Sequence, residues 1–255
     1  MRHLPLVGLN ILKGVDKKII EYKIKNGELM DIFQTIKTLY NLSKNYGYSE
    51  NDIIQEENKQ KIKIPKILRE YYLKLGKNKK INETHNRLLK LNKETGFSDD
   101  GYYVFYEENQ AVVYWGINKN DLEKDNPKVY GNYDATNLTE EWFVDSETLE
   151  GFLLTMAYWN GVLGGLKYTA NYSNDNGIEN DIVKNIENNW NEIKGITNEQ
   201  LRFFTNSDIG IIVVTTDLEN KANGIYVGIN DKKKFVETLD KIKIEWDYRT
   251  DKDDL

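Results

Sequence analysis

The chain has 255 residues, long enough for one large α+β domain or two small ones, and its 39% hydrophobic and 30% charged residues exclude wholesale disorder. It has no cysteine, which excludes disulfides, thiolate metal sites and a cysteine nucleophile, and two histidines are too few for a His-rich metal site. The net charge of −6 argues against general binding to nucleic acid.

The first part of the chain has the pattern of helices. Apolar residues recur at helical spacing in residues 28–46, and a second helix is expected to begin at Ile64–Pro65 and to end at Gly76. Residues 49–63 are polar and predict a connection with a short helix. Residues 77–100 have no clear period and predict a long loop.

Two short apolar runs follow, Tyr102–Tyr106 and Ala111–Ile117, and both are rich in Val, Tyr, Phe and Trp. This composition favours strands, and the four residues between the runs predict an exposed hairpin loop. Because both faces of both strands are apolar, we expect the hairpin to be central in its sheet and covered on both sides.

The rest of the chain alternates between strand and helix patterns. Strands are expected at 141–144, 166–172, 201–205, 209–214, 224–229 and 242–248, and helices at 146–163, at 178–194 and after the cap Asp231. The prediction is an α+β fold, with a single domain at residues 60–248 whose mixed, largely antiparallel sheet is packed by helices. A helical N-terminal extension at 1–59 with one amphipathic helix precedes it, and a charged tail at 249–255 follows.

Charge is unevenly distributed along the sequence. Residues 1–96 carry a net +9 and residues 161–255 a net −5, whereas residues 97–160 hold three lysines and 13 acidic residues, a net −10. This acidic middle segment is either a solvated face that aids solubility or a docking surface for a basic partner.

The common catalytic signatures are absent from the sequence. It lacks a nucleophile elbow, a phosphate-binding loop, a dinucleotide fingerprint and a His-Glu-x-x-His motif. His85 has no identifiable nucleophile or orienting carboxylate at a fixed spacing, and Asp99 and Asp100 suit a turn that enters a strand. We therefore expect no catalytic residue, no metal and no cofactor.

No targeting or membrane segment is recognisable. The amino terminus lacks a long apolar core with a cleavage site, and the longest uncharged stretch, Gly151 to Leu166, is too short to span a membrane. We expect a cytoplasmic protein without membrane contact. The sequence leaves its oligomeric state open.

Two blocks carry a resemblance to a known family. Residues 99–117, DDGYYVFYEENQAVVYWGI, resemble the central motif of the SUKH superfamily, which comprises bacterial immunity proteins and fungal cell-wall synthesis regulators of the Smi/Knr type. Residues 64–72, IPKILREYY, are similar to the entry helix of that family, with Ile64 where leucine is usual. The resemblance extends over residues 60–248 in the order and spacing of elements.

The resemblance implies a non-catalytic protein that binds and neutralises a cognate toxin domain, often a nuclease. An acidic surface suits this role, because nucleases hold phosphates in basic clefts. From charge and expected exposure, the candidate partner contacts are Asp99, Asp100, Glu107, Glu108, Asn109, Glu140 and Glu141. The alternatives are a regulatory scaffold for endogenous enzymes or cell-wall machinery, and an enzyme that uses carboxylates and His85.

Overall fold

The computed structural model describes residues 31–133, 141–205 and 210–252, which form an α+β fold with antiparallel sheets. The predicted fold class is confirmed. The strands, expected in one sheet, are distributed over two, and every strand pairing among the described residues is antiparallel. None of the described helices is long and apolar enough to cross a membrane.

Four helices come first. They are α1 (Ile32–Leu39), α2 (Glu50–Gln60), α3 (Lys66–Lys74) and α4 (Lys79–Asn82). Side-chain caps fix where several of them start: Asp31 accepts a hydrogen bond from the N–H of Phe33, and Ser49 and Asp52 form a reciprocal capping box on α2. Pro65 lies at the N-cap of α3, one position earlier than the sequence suggested.

The first sheet contains the predicted hairpin. Its strands are β1 (Arg87–Leu88), β2 (Gly96–Phe97), β3 (Tyr102–Glu107), β4 (Tyr114–Asn118), β5 (Val129–Asn132) and β6 (Phe143–Ser146), in the order β1-β3-β4-β5-β6, with β2 also paired to β3. The prediction of a long loop at 77–100 was wrong, because this segment contains α4, β1 and β2. Elements of two to four residues are too short to show a period.

The second half of the chain forms α5 and the second sheet. The helix α5 (Leu149–Asn160) is capped by Thr148 and continues into one π-helical turn, Gly161–Gly165. The second sheet has the order β12-β7-β11-β10-β9-β8, from the strands β7 (Tyr168–Ser173), β8 (Asn191–Glu192), β9 (Leu201–Thr205), β10 (Gly210–Thr216), β11 (Ala222–Ile229) and β12 (Tyr248–Arg249). The remaining helices are α6 (Asn180–Asn189) and α7 (Lys232–Ile242).

Helix α5 lies between the two sheets. Nine of its 12 residues are buried, so it is apolar on nearly all sides and needs partners on more than one. Phe152 packs against Tyr106 of the first sheet at 5.5 Å between ring centroids, and Trp159 packs against Tyr226 of the second sheet at 5.2 Å. The main core therefore includes residues of both sheets, which is why the strands divide around this helix.

A second core lies on the other side of the second sheet, beneath α6 and α7. Phe235, Leu239 and Ile242 form the buried side of α7. The helix continues to Ile242 and ends at Lys243, which has a left-handed conformation with φ of 60°. The prediction of a strand at 242–248 was therefore wrong. A spacing of three to four residues between these side chains is helical.

A bulge in β3 determines which side chains of the hairpin face the core. Val104 pairs with Gly116 and Tyr106 with Trp115, which leaves Phe105 as an extra residue, so Phe105 and Tyr106 are both fully buried. The expectation that the hairpin is covered on both sides was wrong. On the face turned away from α5, which we call the outer face, Tyr102, Val104, Glu107, Tyr114 and Asn118 are half-exposed.

Candidate partner-binding site

Two of the predicted contacts lie in the turn that joins β2 to β3. The N–H of Gly101, whose φ is 88°, donates to the carbonyl of Ser98 at 3.0 Å and closes the turn. Asp99 and Asp100 are both exposed. Asp100 is nevertheless fixed in position, since one carboxylate oxygen accepts from the Ser98 hydroxyl at 2.5 Å and the other from the indole N–H of Trp142 at 2.6 Å.

Trp142 brings a distant part of the chain to this turn. Its ring stacks on that of Tyr102 with a centroid distance of 4.1 Å and an interplanar angle of 12°. Gly116 makes room for it, because a Cβ there would lie 3.3 Å from the ring of Trp142. Glu141, the residue before Trp142, is exposed, and the indole hydrogen bond of Trp142 connects its segment to the turn that holds Asp99 and Asp100.

We call this region the Trp142 face. It comprises Asp99, Asp100, Tyr102, Tyr130, Glu141 and Trp142. Tyr130 joins it through an edge contact with Tyr102 at 5.3 Å between ring centroids. The sequence pattern did not predict the two aromatic partners, Tyr130 on β5 and Trp142 before β6, because it favoured a hairpin covered on both sides. The available signal was a tryptophan directly after two glutamates.

The hairpin loop differs from the exposed carboxylate tip that we expected. The Glu107 side chain is only 15% exposed, because β1 pairs with β3 at this point and places Arg87 opposite. Arg87 Nε donates to Glu107 at 2.6 Å, and its guanidinium also pairs with Glu94 at 2.7 Å. Glu107 is thus half-buried and neutralised within the fold.

Glu108 and Asn109 are also committed to local structure. The Glu108 carboxylate accepts from the backbone N–H groups of Gln110 at 2.7 Å and Val112 at 3.4 Å, and so holds the loop closed. The amide nitrogen of Asn109, which is exposed, lies 3.1 Å from Nδ1 of His85. Of these residues, Asn109 offers the most accessible side chain to a partner.

His85 has the hydrogen bond expected of a loop histidine. It lies edge-on to Trp159, with ring centroids 6.2 Å apart. Burial lowers the pKa of His85, and the nearby negative charge of Glu108 offsets part of that effect. A neutral imidazole can accept the Asn109 hydrogen bond at Nδ1.

The predicted contacts therefore form two groups. Asp99 and Asp100 lie at one end of β3, where Trp142, the neighbour of Glu141 in the chain, contacts Asp100, and Glu107, Glu108 and Asn109 lie at the other end. A six-residue strand separates them by about 17 Å. Glu140 lies outside the described residues.

Three other carboxylates of the acidic middle segment, Asp121, Glu147 and Asp145, are paired or shielded from solvent. Asp121 pairs with Lys124 at 2.6 Å, and Glu147 pairs with Lys128 at 2.7 Å. Asp145 lies at a bulge in β6, between the pairs Val144–Tyr130 and Ser146–Val129, and burial raises its pKa to about 7. The net −10 of this segment therefore does not spread over one continuous surface.

The buried carboxylate of Glu56 has structural partners. The carboxylate of Glu56 is fully buried and accepts from the N–H of Asn92 at 2.7 Å, from the Thr95 hydroxyl at 2.8 Å and from the Tyr103 hydroxyl at 3.1 Å. It anchors α2 to the turn before β2 and to β3. Within the described ranges, no group of three or more His, Asp or Glu side chains is placed to hold a metal ion.

The comparisons with known proteins leave the chain without a family assignment. No protein-family model, no curated protein and no solved structure matches it.

Proposed function

We propose that this chain is an immunity protein without catalytic activity, which binds and neutralises a cognate toxin domain through the acidic end of its first sheet. The resemblance of residues 64–72 and 99–117 to SUKH immunity proteins motivates the proposal. The observation that carries it is the hydrogen bond from the Trp142 indole to Asp100, which connects two separate segments bearing the exposed carboxylates Asp99, Asp100 and Glu141.

These carboxylates are available to a partner. Lys119 lies against Gly101 in the same turn, yet in the part of the chain that the structure describes no cation forms an ion pair with Asp99, Asp100 or Glu141. A basic cleft that holds phosphate groups complements such a cluster. Opposite charges accelerate encounter and exclude nucleic acid from the cleft. A nuclease domain is the partner class that this chemistry favours.

The test is a binding titration of the full chain against the toxin-like domain encoded by the adjacent upstream gene, at 50 mM and 500 mM salt. We expect tight binding that weakens with salt, and co-expression should abolish the toxicity of that domain. Toxicity that persists despite co-expression would contradict the proposal. An endogenous enzyme recovered from the native cytoplasm in place of a toxin would favour the alternative, a regulatory scaffold.

A further inference from the structure

The outer face of the first sheet carries an aromatic surface that the described residues cover only in part. Tyr102, Tyr130 and Trp142 are each half-exposed, whereas Tyr106 and Trp115, on the opposite face of the same sheet, are 0% and 5% exposed. Large aromatic side chains at a protein surface are typical of the centre of an interface, where they contribute most of the binding energy.

This surface is preorganised. The Trp142 ring is held on one side by its stacking on Tyr102 and at its nitrogen by the hydrogen bond to Asp100, while Gly116 leaves space beneath it. A side chain that is already fixed loses little conformational entropy when a partner binds. Other exposed apolar residues, such as Leu218 and Val112, lie on separate turns and have no comparable fixation.

The charges around the rings indicate the chemistry of the occupant. Asp100 accepts the hydrogen bond of the Trp142 indole, and the exposed carboxylates Asp99 and Glu141 are the chain neighbours of these two residues. A guanidinium group stacks on an aromatic ring and binds carboxylates in a planar, bidentate manner, whereas a lysine ammonium provides only a point charge. Aromatic rings next to carboxylates therefore fit arginine better than lysine.

We infer that the Trp142 face is the docking centre for an arginine-bearing loop of a basic partner protein. The inference rests on the proposed function, since it names the surface and the partner chemistry of the same site. The arginine stacks on the aromatic rings of this face and pairs with Asp100 and Glu141.

The test uses full-length variants and three probes: the toxin-like domain of the adjacent gene, an (Arg-Gly)6 peptide and a (Lys-Gly)6 peptide. We expect W142A to bind the toxin domain at least tenfold more weakly. We expect the exposed-charge variant E141K to slow association at low salt. The arginine peptide should bind the parent chain more tightly than the lysine peptide, and W142A should abolish that preference. The control D175N/E219Q removes two exposed charges beside the second sheet and should bind within twofold of the parent.

The outcomes separate the two proposals. If the parent neutralises the toxin and both W142A and E141K bind it unchanged, the Trp142 face is not the docking centre, although the immunity function stands. A second outcome is that the toxin domain does not bind, while the parent prefers the arginine peptide to the lysine peptide and W142A does not. In that case the Trp142 face is a site for a basic partner and the proposed immunity function is wrong. An equal affinity of the parent for both peptides would overturn the arginine chemistry. Circular dichroism establishes that W142A is folded, and E141K tests the site without altering any buried group.

Discussion

Asp145 shows how a single extra residue in a strand changes the chemistry of a side chain. The bulge in β6 places this carboxyl in a half-buried position, crowded by protein, where desolvation raises its pKa to about 7. The nearby indole of Trp115 offsets part of this shift. Near neutral pH the carboxyl is therefore only partly ionised.

This pKa predicts a pH-dependent stability. The folded chain holds the Asp145 proton up to about pH 7, whereas the ordinary carboxyl pKa is 3.8. The contribution of Asp145 to the free energy of unfolding is therefore largest below pH 4. It falls as the pH rises to 7 and is constant above that. D145N removes the dependence. We expect it to raise the free energy of unfolding at pH 8 by about 2 kcal/mol, a value discounted for the partial exposure of the residue, and to have little effect at pH 4.

Urea unfolding of the parent and of D145N between pH 4 and 8 measures this difference. The matched control is D175N, which alters an exposed aspartate and should be neutral at every pH. A constant difference between D145N and the parent across this range would show that Asp145 titrates normally.

At the scale of an element, α5 depends on its last residue, Asn160. This fully buried amide accepts from the N–H of Asn86 at 2.9 Å and donates to the carbonyls of Ile81 at 2.6 Å and Asn86 at 2.8 Å. It thereby joins the helix to the segment between α4 and β1, which has few hydrogen bonds of its own. An asparagine within a helix rarely has this role, and the sequence pattern around it indicated only a buried helix.

We predict that N160A lowers the free energy of unfolding by about 2–4 kcal/mol, since it leaves a buried N–H and two carbonyls unsatisfied. Hydrogen exchange should accelerate first at residues 81–88. The control N120A changes an exposed asparagine and is expected to be within about 0.5 kcal/mol of the parent. Unchanged protection at residues 81–88 in N160A would show that the amide network is dispensable.

At the scale of the whole molecule, the two ends of β3 have different roles. At one end the carboxylates of Asp99 and Glu141 face solvent, and at the other Glu107 pairs with Arg87 and Glu108 closes the hairpin loop. Charge reversal should therefore slow association with a partner at the first end and lower the stability of the fold at the second. In the sequence, all four residues looked like equivalent acidic contacts.

We predict that D99K/E141K slows association with the toxin domain at low salt by about tenfold without a loss of stability. The hairpin variant E107K/E108K should instead lower the melting temperature by several degrees, because Arg87 then faces a lysine and the loop loses its acceptor. Stopped-flow association rates and thermal unfolding of both variants measure the two effects. If E107K/E108K is as stable as the parent and associates more slowly, the hairpin end is the steering surface.

Local patterns were sufficient to predict several elements. The apolar runs of β3 and β4 predicted a hairpin, the spacing of Phe235 and Leu239 after Asp231 predicted α7, and the alternation of such segments predicted an α+β fold. These signals depend on neighbouring residues, and they persist wherever the segment lies in the structure. Short elements such as α4 and β1 were not predicted, because they have no period and are held by other elements: α4 by α5, and β1 by β3.

The sequence by itself determined the fold class, the excess of acidic residues in the middle segment and the absence of thiol chemistry. Only the tertiary structure decided which carboxylates meet. Trp142 reaches Asp100 across 42 residues, Arg87 neutralises Glu107 across 20, and a bulge turns Asp145 inward. Charge is a property of each residue, whereas exposure and pairing depend on which strands become neighbours, and that is decided by how both sheets pack against α5.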